Sequence, residues 1–123
     1  MDQMTIHELK TVESGPASRN ALAGYVGHTP LLPLDSLISS LSPKVRIFAK
    51  AEWFNPGGSV KDRPALNIIQ TALANGDLGN GRRLLDSTSG NMGISYATLA
   101  AALGIPVTLT IPASASAERF AKR

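Results

Sequence analysis

Short β-prone segments alternate with segments of helical periodicity over most of this 123-residue chain. The clearest strand-like segments, 45–50 and 107–111, are rich in β-branched residues. Between them, apolar residues recur at helical spacing along 65–73 and 92–103. Alternating strands and helices are typical of parallel sheets joined by crossover helices. The pattern therefore predicts an α/β fold in which a parallel sheet carries helices on both faces.

Turn and capping residues predict the remaining element boundaries. Shorter strands are expected at 29–34 and 84–87, and further helices at 35–41 and 116–123. The first long helix begins either at Ser59, which forms a capping box with Asp62, or at Asp62 itself. If the helix began at Ser59, Pro64 would lie at a position whose N–H normally bonds within the helix, and its missing N–H would cost that hydrogen bond. Gly104 and Pro106 are typical of the end of the second long helix.

The first 24 residues are polar and are interrupted by Gly15 and Pro16. We expect residues 1–24 to form a loosely ordered leader, with a short helix near 6–12. Residues 25–123 are then one domain, because a chain of this length supports a single hydrophobic core.

Charge and residue usage exclude several classes of function. The net charge is +3, and the basic residues are dispersed rather than interleaved with aromatic residues, so nucleic acid is not an expected partner. The chain has no cysteine, which excludes disulfides, thiolate metal sites and a cysteine nucleophile. His7 and His28 are far apart, and no metal site is predicted. A serine hydrolase built on either histidine is disfavoured, because both lie in or near the leader, where surface or packing roles are expected.

Targeting signals and the commonest nucleotide motifs are also missing from the sequence. No apolar run approaches the roughly 20 residues that span a bilayer, and the first ten residues lack the order of a signal peptide. We therefore expect a cytoplasmic protein with no membrane partner. Neither a P-loop nor a dinucleotide-binding glycine motif is present.

The loop at 55–63 places Lys61 near the start of a helix. Ligands of parallel α/β sheets collect at the carboxyl ends of strands, where helix amino termini present free N–H groups. A cation is unfavourable at this end of the helix dipole, so the position favours the neutral amine that a Schiff-base lysine needs. The alternative is that Lys61, Asp62 and Arg63 form a solvated cluster whose charges compensate one another.

A second loop, at 86–93, concentrates hydroxyl groups, an amide and glycines at the start of the next helix. Thr88, Ser89, Gly90 and Asn91 at such a place suit a carboxylate or a phosphate. The alternative is an ordinary amino-terminal cap, in which Ser, Thr and Asn are favoured for stability alone.

Four short motifs in this chain resemble those of the cysteine synthase family, in the same order and at comparable intervals. Residues 27–31 are similar to its G-N-T-P-L, and residues 55–63 to its N-P-x-G-S-x-K-D-R. Residues 88–93 resemble T-S-G-N-T-G, and residues 116–119 resemble S-x-E-R. From Gly27 onward the chain is therefore similar to the amino-terminal portion of this family of fold type II pyridoxal-phosphate (PLP) enzymes.

The resemblance implies a PLP cofactor and a β-replacement reaction, in which sulfide displaces the activating group of an O-activated serine to give cysteine. Lys61 would carry the cofactor and remove the α-proton, and Asn91 would bind the 3-oxygen of the cofactor ring. The expected partners are the amino-acid substrate, sulfide and, in the complete protein, a second subunit of a homodimer. The substrate-binding residues implied are Thr88, Ser89, Gly90, Asn91 and Met92.

Two departures from the family pattern leave alternatives open. Met92 stands where the family usually has threonine, so the activated serine is not identified. The glycine-rich phosphate-binding loop of the family would lie beyond Arg123, so we expect the 123 residues alone to be inactive. The alternatives are cystathionine β-synthase, a serine/threonine dehydratase, or a catalytically inactive fragment that serves as a folded module.

Overall fold

A computed structural model describes residues 4–9, 21–37 and 40–112. Within these ranges it contains five strands, two α-helices and three short 3-10 helices. The strands are β1 (Met4–Leu9), β2 (Leu31–Pro33), β3 (Phe48–Lys50), β4 (Leu84–Ser87) and β5 (Val107–Pro112), and the α-helices are α1 (Asp62–Ala74) and α2 (Asn91–Leu103). The 3-10 helices lie at Leu22–Tyr25, Asp35–Leu37 and Glu52–Phe54. The predicted α/β class is confirmed, whereas the predicted helix at 116–123 lies outside the described residues.

The main sheet has the strand order β1-β5-β4. Strands β4 and β5 are parallel, with Leu84 opposite Val107, and α2 connects them as the predicted crossover helix. Strand β1 is antiparallel to β5, with Met4 opposite Pro112. The sheet is therefore mixed, because an antiparallel strand covers the edge of β5 that β4 leaves free.

Strand β1 overturns the helix predicted near 6–12. Residues Met4–Leu9 are extended and pair with β5 along their whole length. Thr5 and Ile6 are β-branched, and pairing with a distant strand overrides the weak local helical pattern. Residues 10–12 lie outside the described part of the chain, and the leader boundary at residue 24 stays a prediction.

A second, two-stranded sheet joins β2 and β3, with Leu31 opposite Lys50 and Pro33 opposite Phe48. These strands are shorter than predicted. Pro33 has no N–H to offer a ladder, which limits the pairing on one side. Part of the predicted helix at 35–41 is the 3-10 helix Asp35–Leu37, and residues 38 and 39 lie outside the described ranges.

Helix α1 begins at Asp62, the later of the two predicted starts, with Lys61 as the preceding cap residue. Pro64 then occupies the third helical position, whose N–H has no partner within a helix. The first bond of the helical ladder runs from the Ala65 N–H to the Lys61 carbonyl at 3.0 Å. The later start therefore accommodates Pro64 without loss of a hydrogen bond.

The hydrophobic core lies between α1, α2 and the main sheet. Ile69 of α1, Leu99 of α2 and Leu109 and Ile111 of β5 are almost completely buried. Gly104 ends α2 as predicted, with a left-handed φ of 69°. Packing of α1 against α2 fixes the two helix starts, and therefore the two predicted loops, relative to each other. In the described ranges, no helix has the length and apolar character needed to cross a membrane.

Candidate active site

Lys61 occupies the junction between the 55–60 loop and α1, and it is exposed. Its backbone N–H donates a hydrogen bond to Ser59 Oγ at 3.2 Å. The loop turns at Gly58, whose N–H bonds to the Asn55 carbonyl at 2.8 Å and whose φ is 79°. A positive φ favours glycine at this position. The turn and the helix start thus hold the Lys61 backbone while its side chain stays accessible.

Asp62 is fully buried, unlike its neighbour Lys61. One carboxylate oxygen, Oδ1, accepts a hydrogen bond from Ser95 Oγ at 2.5 Å, and the other accepts one from the Gly57 N–H. A β-carbon at Gly57 would lie 2.3 Å from Asp62 Oδ1, so a larger residue would clash there. The alternative of a solvated, self-compensating charge cluster is therefore wrong for Asp62.

Arg63 pairs with Glu52 rather than with Asp62. Its Nε lies 2.9 Å from Glu52 Oε2 and its Nη2 lies 2.8 Å from Oε1, a two-point contact. Asn55 Nδ2 donates to Oε2 at 2.8 Å, and Thr29 Oγ1 donates to Oε1 at 3.1 Å. The hydrogen bonds from Arg63, and to a lesser extent from Asn55 and Thr29, lower the pKa of Glu52 to about 2 against an opposing effect of burial. The same pair raises the pKa of Arg63.

The same network connects the motif at 27–31 to the lysine loop. The Gly27 N–H donates to Asn55 Oδ1 at 2.8 Å, and Arg63 Nη2 donates to the Gly27 carbonyl at 3.0 Å. Gly27 has a φ of 88°, and a β-carbon there would lie 2.8 Å from an Arg63 nitrogen. Two motifs that are distant in sequence therefore form one folded unit around the start of α1.

The second predicted loop runs from the end of β4 to the start of α2. The Thr88 N–H extends the sheet pairing with a bond to the Thr110 carbonyl at 3.1 Å, and the Gly90 N–H bonds to Thr88 Oγ1 at 3.3 Å. Gly90 is the cap residue, and no side-chain cap bond is made from it. The N–H groups of Asn91 and Met92 precede the helical ladder and so have no acceptor within the helix. This arrangement can bind an anion.

Met92 differs from its neighbours because its side chain packs against the hydrophobic core and is half-buried. Thr88 and Ser89 are also half-buried, whereas Gly90 and Asn91 are exposed. What Met92 offers to a ligand is therefore its backbone N–H rather than its thioether.

A cavity of about 440 Å³ separates the lysine loop from α2. Its lining residues are Pro56, Gly57 and Gly58 from the loop and Asn91, Ile94 and Thr98 from one face of α2. The structure therefore brings Asn91 to the loop that leads into Lys61. The other predicted site residues, Lys61, Thr88, Ser89, Gly90 and Met92, do not line this cavity. Among the described residues, no group of three or more histidines and acidic residues could hold a metal ion.

Sequence reasoning missed Glu52 and Ser95, which hold the site together. Ser95 follows Asn91 by four residues and so lies on the same face of α2, a spacing that is visible in the sequence. The partner of each residue lies in another segment, however, and no local pattern identifies it.

Comparison with known proteins defines the class to which this fold and site belong. Residues 22–122 match the model of a family described as pyridoxal-phosphate dependent enzyme, and the chain belongs to that family. The predicted resemblance, the fold type II architecture and the PLP cofactor of the family are thereby confirmed.

The similar proteins within this family include cysteine synthases. One from Aquifex aeolicus (strain VF5) is 48% identical over 103 residues, which are 83% of this chain and 32% of that protein. Solved structures of a cysteine synthase and of O-acetyl serine sulfhydrylase isoform 3, both from Entamoeba histolytica, are 34% identical, with TM-scores of 0.76 and 0.79. These matches cover 93% and 92% of this chain but 35% of each solved chain. The chain thus spans about a third of the length of these relatives.

Proposed function

We propose that the full-length protein is a PLP-dependent, cysteine synthase-like enzyme that replaces the β-substituent of an O-activated serine with sulfide. The observation that carries the proposal is the cavity at which the loop leading into Lys61 meets Asn91. The 48% identity to a cysteine synthase supports the choice of reaction.

The described residues fit the cofactor. Lys61 presents an exposed amine at a fixed backbone position, and an amine can attach the cofactor aldehyde covalently. Asn91 presents an exposed side-chain amide at the start of α2, where it can donate a hydrogen bond to a ring oxygen. When bound, PLP supplies the electron sink that stabilises negative charge at the substrate α-carbon.

The proposed role of Lys61 in the reaction is proton transfer. Its ε-amino nitrogen accepts the proton from the substrate α-carbon. The side chains of Thr88 and Ser89, together with the N–H groups of Asn91 and Met92, bind the substrate carboxylate. Met92 contributes no hydroxyl group, so the loop differs from a threonine-bearing loop in how it holds the substrate.

We further propose that the full-length protein is a cytoplasmic homodimer whose partners are the amino-acid substrate and sulfide rather than nucleic acid or a membrane. The rival reactions within the family are those of cystathionine β-synthase and of serine/threonine dehydratases. The other rival is an inactive fragment.

The test is to supply the full-length protein with PLP, O-acetylserine and sulfide, and to measure cysteine. A parallel reaction with homocysteine in place of sulfide reports cystathionine formation. A third reaction without sulfide or homocysteine reports elimination. Cysteine as the dominant product supports the proposal. Dominant cystathionine or dominant elimination contradicts the proposal and supports the corresponding rival, and the absence of all three products also contradicts it.

A further inference from the structure

Asp62 and Ser95 join the two parts of the proposed cofactor site. Asp62 follows Lys61 directly in the chain, and Ser95 lies one helical turn beyond Asn91 in α2. Both side chains are fully buried, and Ser95 Oγ donates to Asp62 Oδ1 at 2.5 Å. This contact therefore links the residue after the proposed cofactor lysine to the helix that carries the proposed ring-binding asparagine.

The other oxygen of Asp62 fixes the loop before the lysine, because it accepts a hydrogen bond from the Gly57 N–H. The close approach of Gly57 to the carboxylate requires glycine at that position. The buried carboxylate of Asp62 thus holds both the loop that precedes Lys61 and helix α2. If one of the two donors were lost, the carboxylate would stay buried and keep its desolvation cost without that hydrogen bond. Breaking either bond alone is therefore unfavourable.

We propose that Asp62 is a positioning residue that sets the separation between Lys61 and Asn91 through its hydrogen bonds to Gly57 and Ser95. This inference rests on the proposed function, in which Lys61 and Asn91 contact the cofactor. Asp62 does not touch substrate or cofactor in this role and acts only through the placement of Lys61.

The test compares the variants Ser95→Ala and Asp62→Asn with Thr108→Val in the full-length protein. Thr108 is also buried and also accepts a side-chain hydrogen bond, from Arg83 at 2.8 Å, but it lies in β5 away from the lysine loop. Thr108→Val removes this part-buried side-chain hydrogen bond without a change at α1. Urea unfolding of all three variants measures the stability cost of each substitution.

The first readout is the rate at which PLP adds to Lys61 in the cofactor-free protein, followed by borohydride trapping and peptide mass spectrometry. Ser95→Ala and Asp62→Asn should slow this addition about tenfold or more, because small misplacements of a reacting group are costly. Thr108→Val should stay within about twofold, since distant sites are nearly independent. The inference is overturned if Ser95→Ala and Asp62→Asn change the rate no more than Thr108→Val does.

The second readout needs no cofactor. Trace acetylation compares Lys61 with exposed Lys44, and the Lys61/Lys44 ratio should differ between Ser95→Ala and the parent protein, because the lysine loses its fixed place at the helix start. An unchanged ratio overturns the inference. If PLP reacts at another lysine in the parent protein, the proposed function fails, and the acetylation ratio still decides whether Asp62 positions Lys61.

Discussion

Arg63 and Glu52 form a two-point ion pair that fastens the start of α1 to the 3-10 helix before it. The contact distances are 2.9 Å and 2.8 Å, and Asn55 and Thr29 complete the coordination of the carboxylate. Within the lysine motif, Asn55 and Arg63 therefore have a structural role. They join three segments of the chain around a lysine that is itself left exposed.

This pair predicts a pH dependence of stability. The pKa of Glu52 falls from 4.5 to about 2 in the folded protein. A carboxyl group with a depressed folded pKa stabilises the protein above its unfolded pKa, and that stabilisation is lost as the pH falls from 4.5 toward 2. Glu52→Gln should lower the urea midpoint at pH 7. The difference in midpoint between this variant and the parent protein should narrow as the pH falls from 4.5 toward 2. Asp77→Asn, at an exposed position after α1, is the control, and a gap that does not vary with pH would contradict the prediction.

The second prediction concerns the covalent site. Lys61→Ala in the full-length protein should abolish the cofactor adduct that borohydride traps, because only an amine at this position forms the link. Lys44→Ala removes an exposed lysine outside the site and should leave trapping intact. Absorbance and peptide mass spectrometry measure both outcomes. A trapped adduct on another lysine in the parent protein would refute the assignment.

The third prediction tests Met92 both as a member of the proposed carboxylate-binding loop and as a side chain that packs against the core. Met92→Thr should tighten O-acetylserine binding by at most about 1.5–3 kcal/mol if a hydroxyl group can reach the carboxylate, because hydrogen bonds to charged groups are of this size. The same change removes a side chain that packs against the core, and should cost about 1 kcal/mol of stability. Substrate titration and urea unfolding separate the effects. Unchanged or weaker binding would indicate that backbone N–H groups alone hold the carboxylate.

The fourth prediction concerns Gly57, in the loop that leads into Lys61. Gly57→Ala places a β-carbon 2.3 Å from Asp62 Oδ1, so the loop or α1 must shift. The expected cost is about 1–3 kcal/mol of stability, the usual range for overpacking a buried site. Gly24→Ala is the matched control, because no heavy atom beyond its chain neighbours lies within 4 Å of a β-carbon there. Equal unfolding midpoints for the two variants would contradict the predicted clash.

Local signals in the sequence were enough to predict β4, the second long helix and its end at Gly104, since strand propensity and a left-handed cap are properties of neighbouring residues. The strand β1 was missed because its stability depends on β5, about a hundred residues away. Glu52 and Ser95 were missed for the same reason. Asp62 looked like part of a surface charge cluster, because its burial depends on the packing of α1 against α2 rather than on its neighbours Lys61 and Arg63.

The last prediction is that the 123 residues alone bind PLP weakly and form no cysteine. A bond between an aldehyde and a lysine is reversible, so lasting retention requires that the phosphate and the ring nitrogen of the cofactor are also held. The proposed contacts from the described residues are the amine of Lys61 and the amide of Asn91. Exposed Trp53 and Phe54, whose ring centroids are 6.0 Å apart, form part of an apolar surface that favours self-association.

The experiment is to purify the 123-residue chain, add PLP, desalt, and record bound absorbance together with sulfide-dependent cysteine formation. Sedimentation at several concentrations reports self-association in the same preparation. We expect little retained cofactor, no turnover and a mass that rises with concentration. Stoichiometric cofactor with turnover would contradict the prediction, because two contacts would then be sufficient to hold PLP in a working geometry.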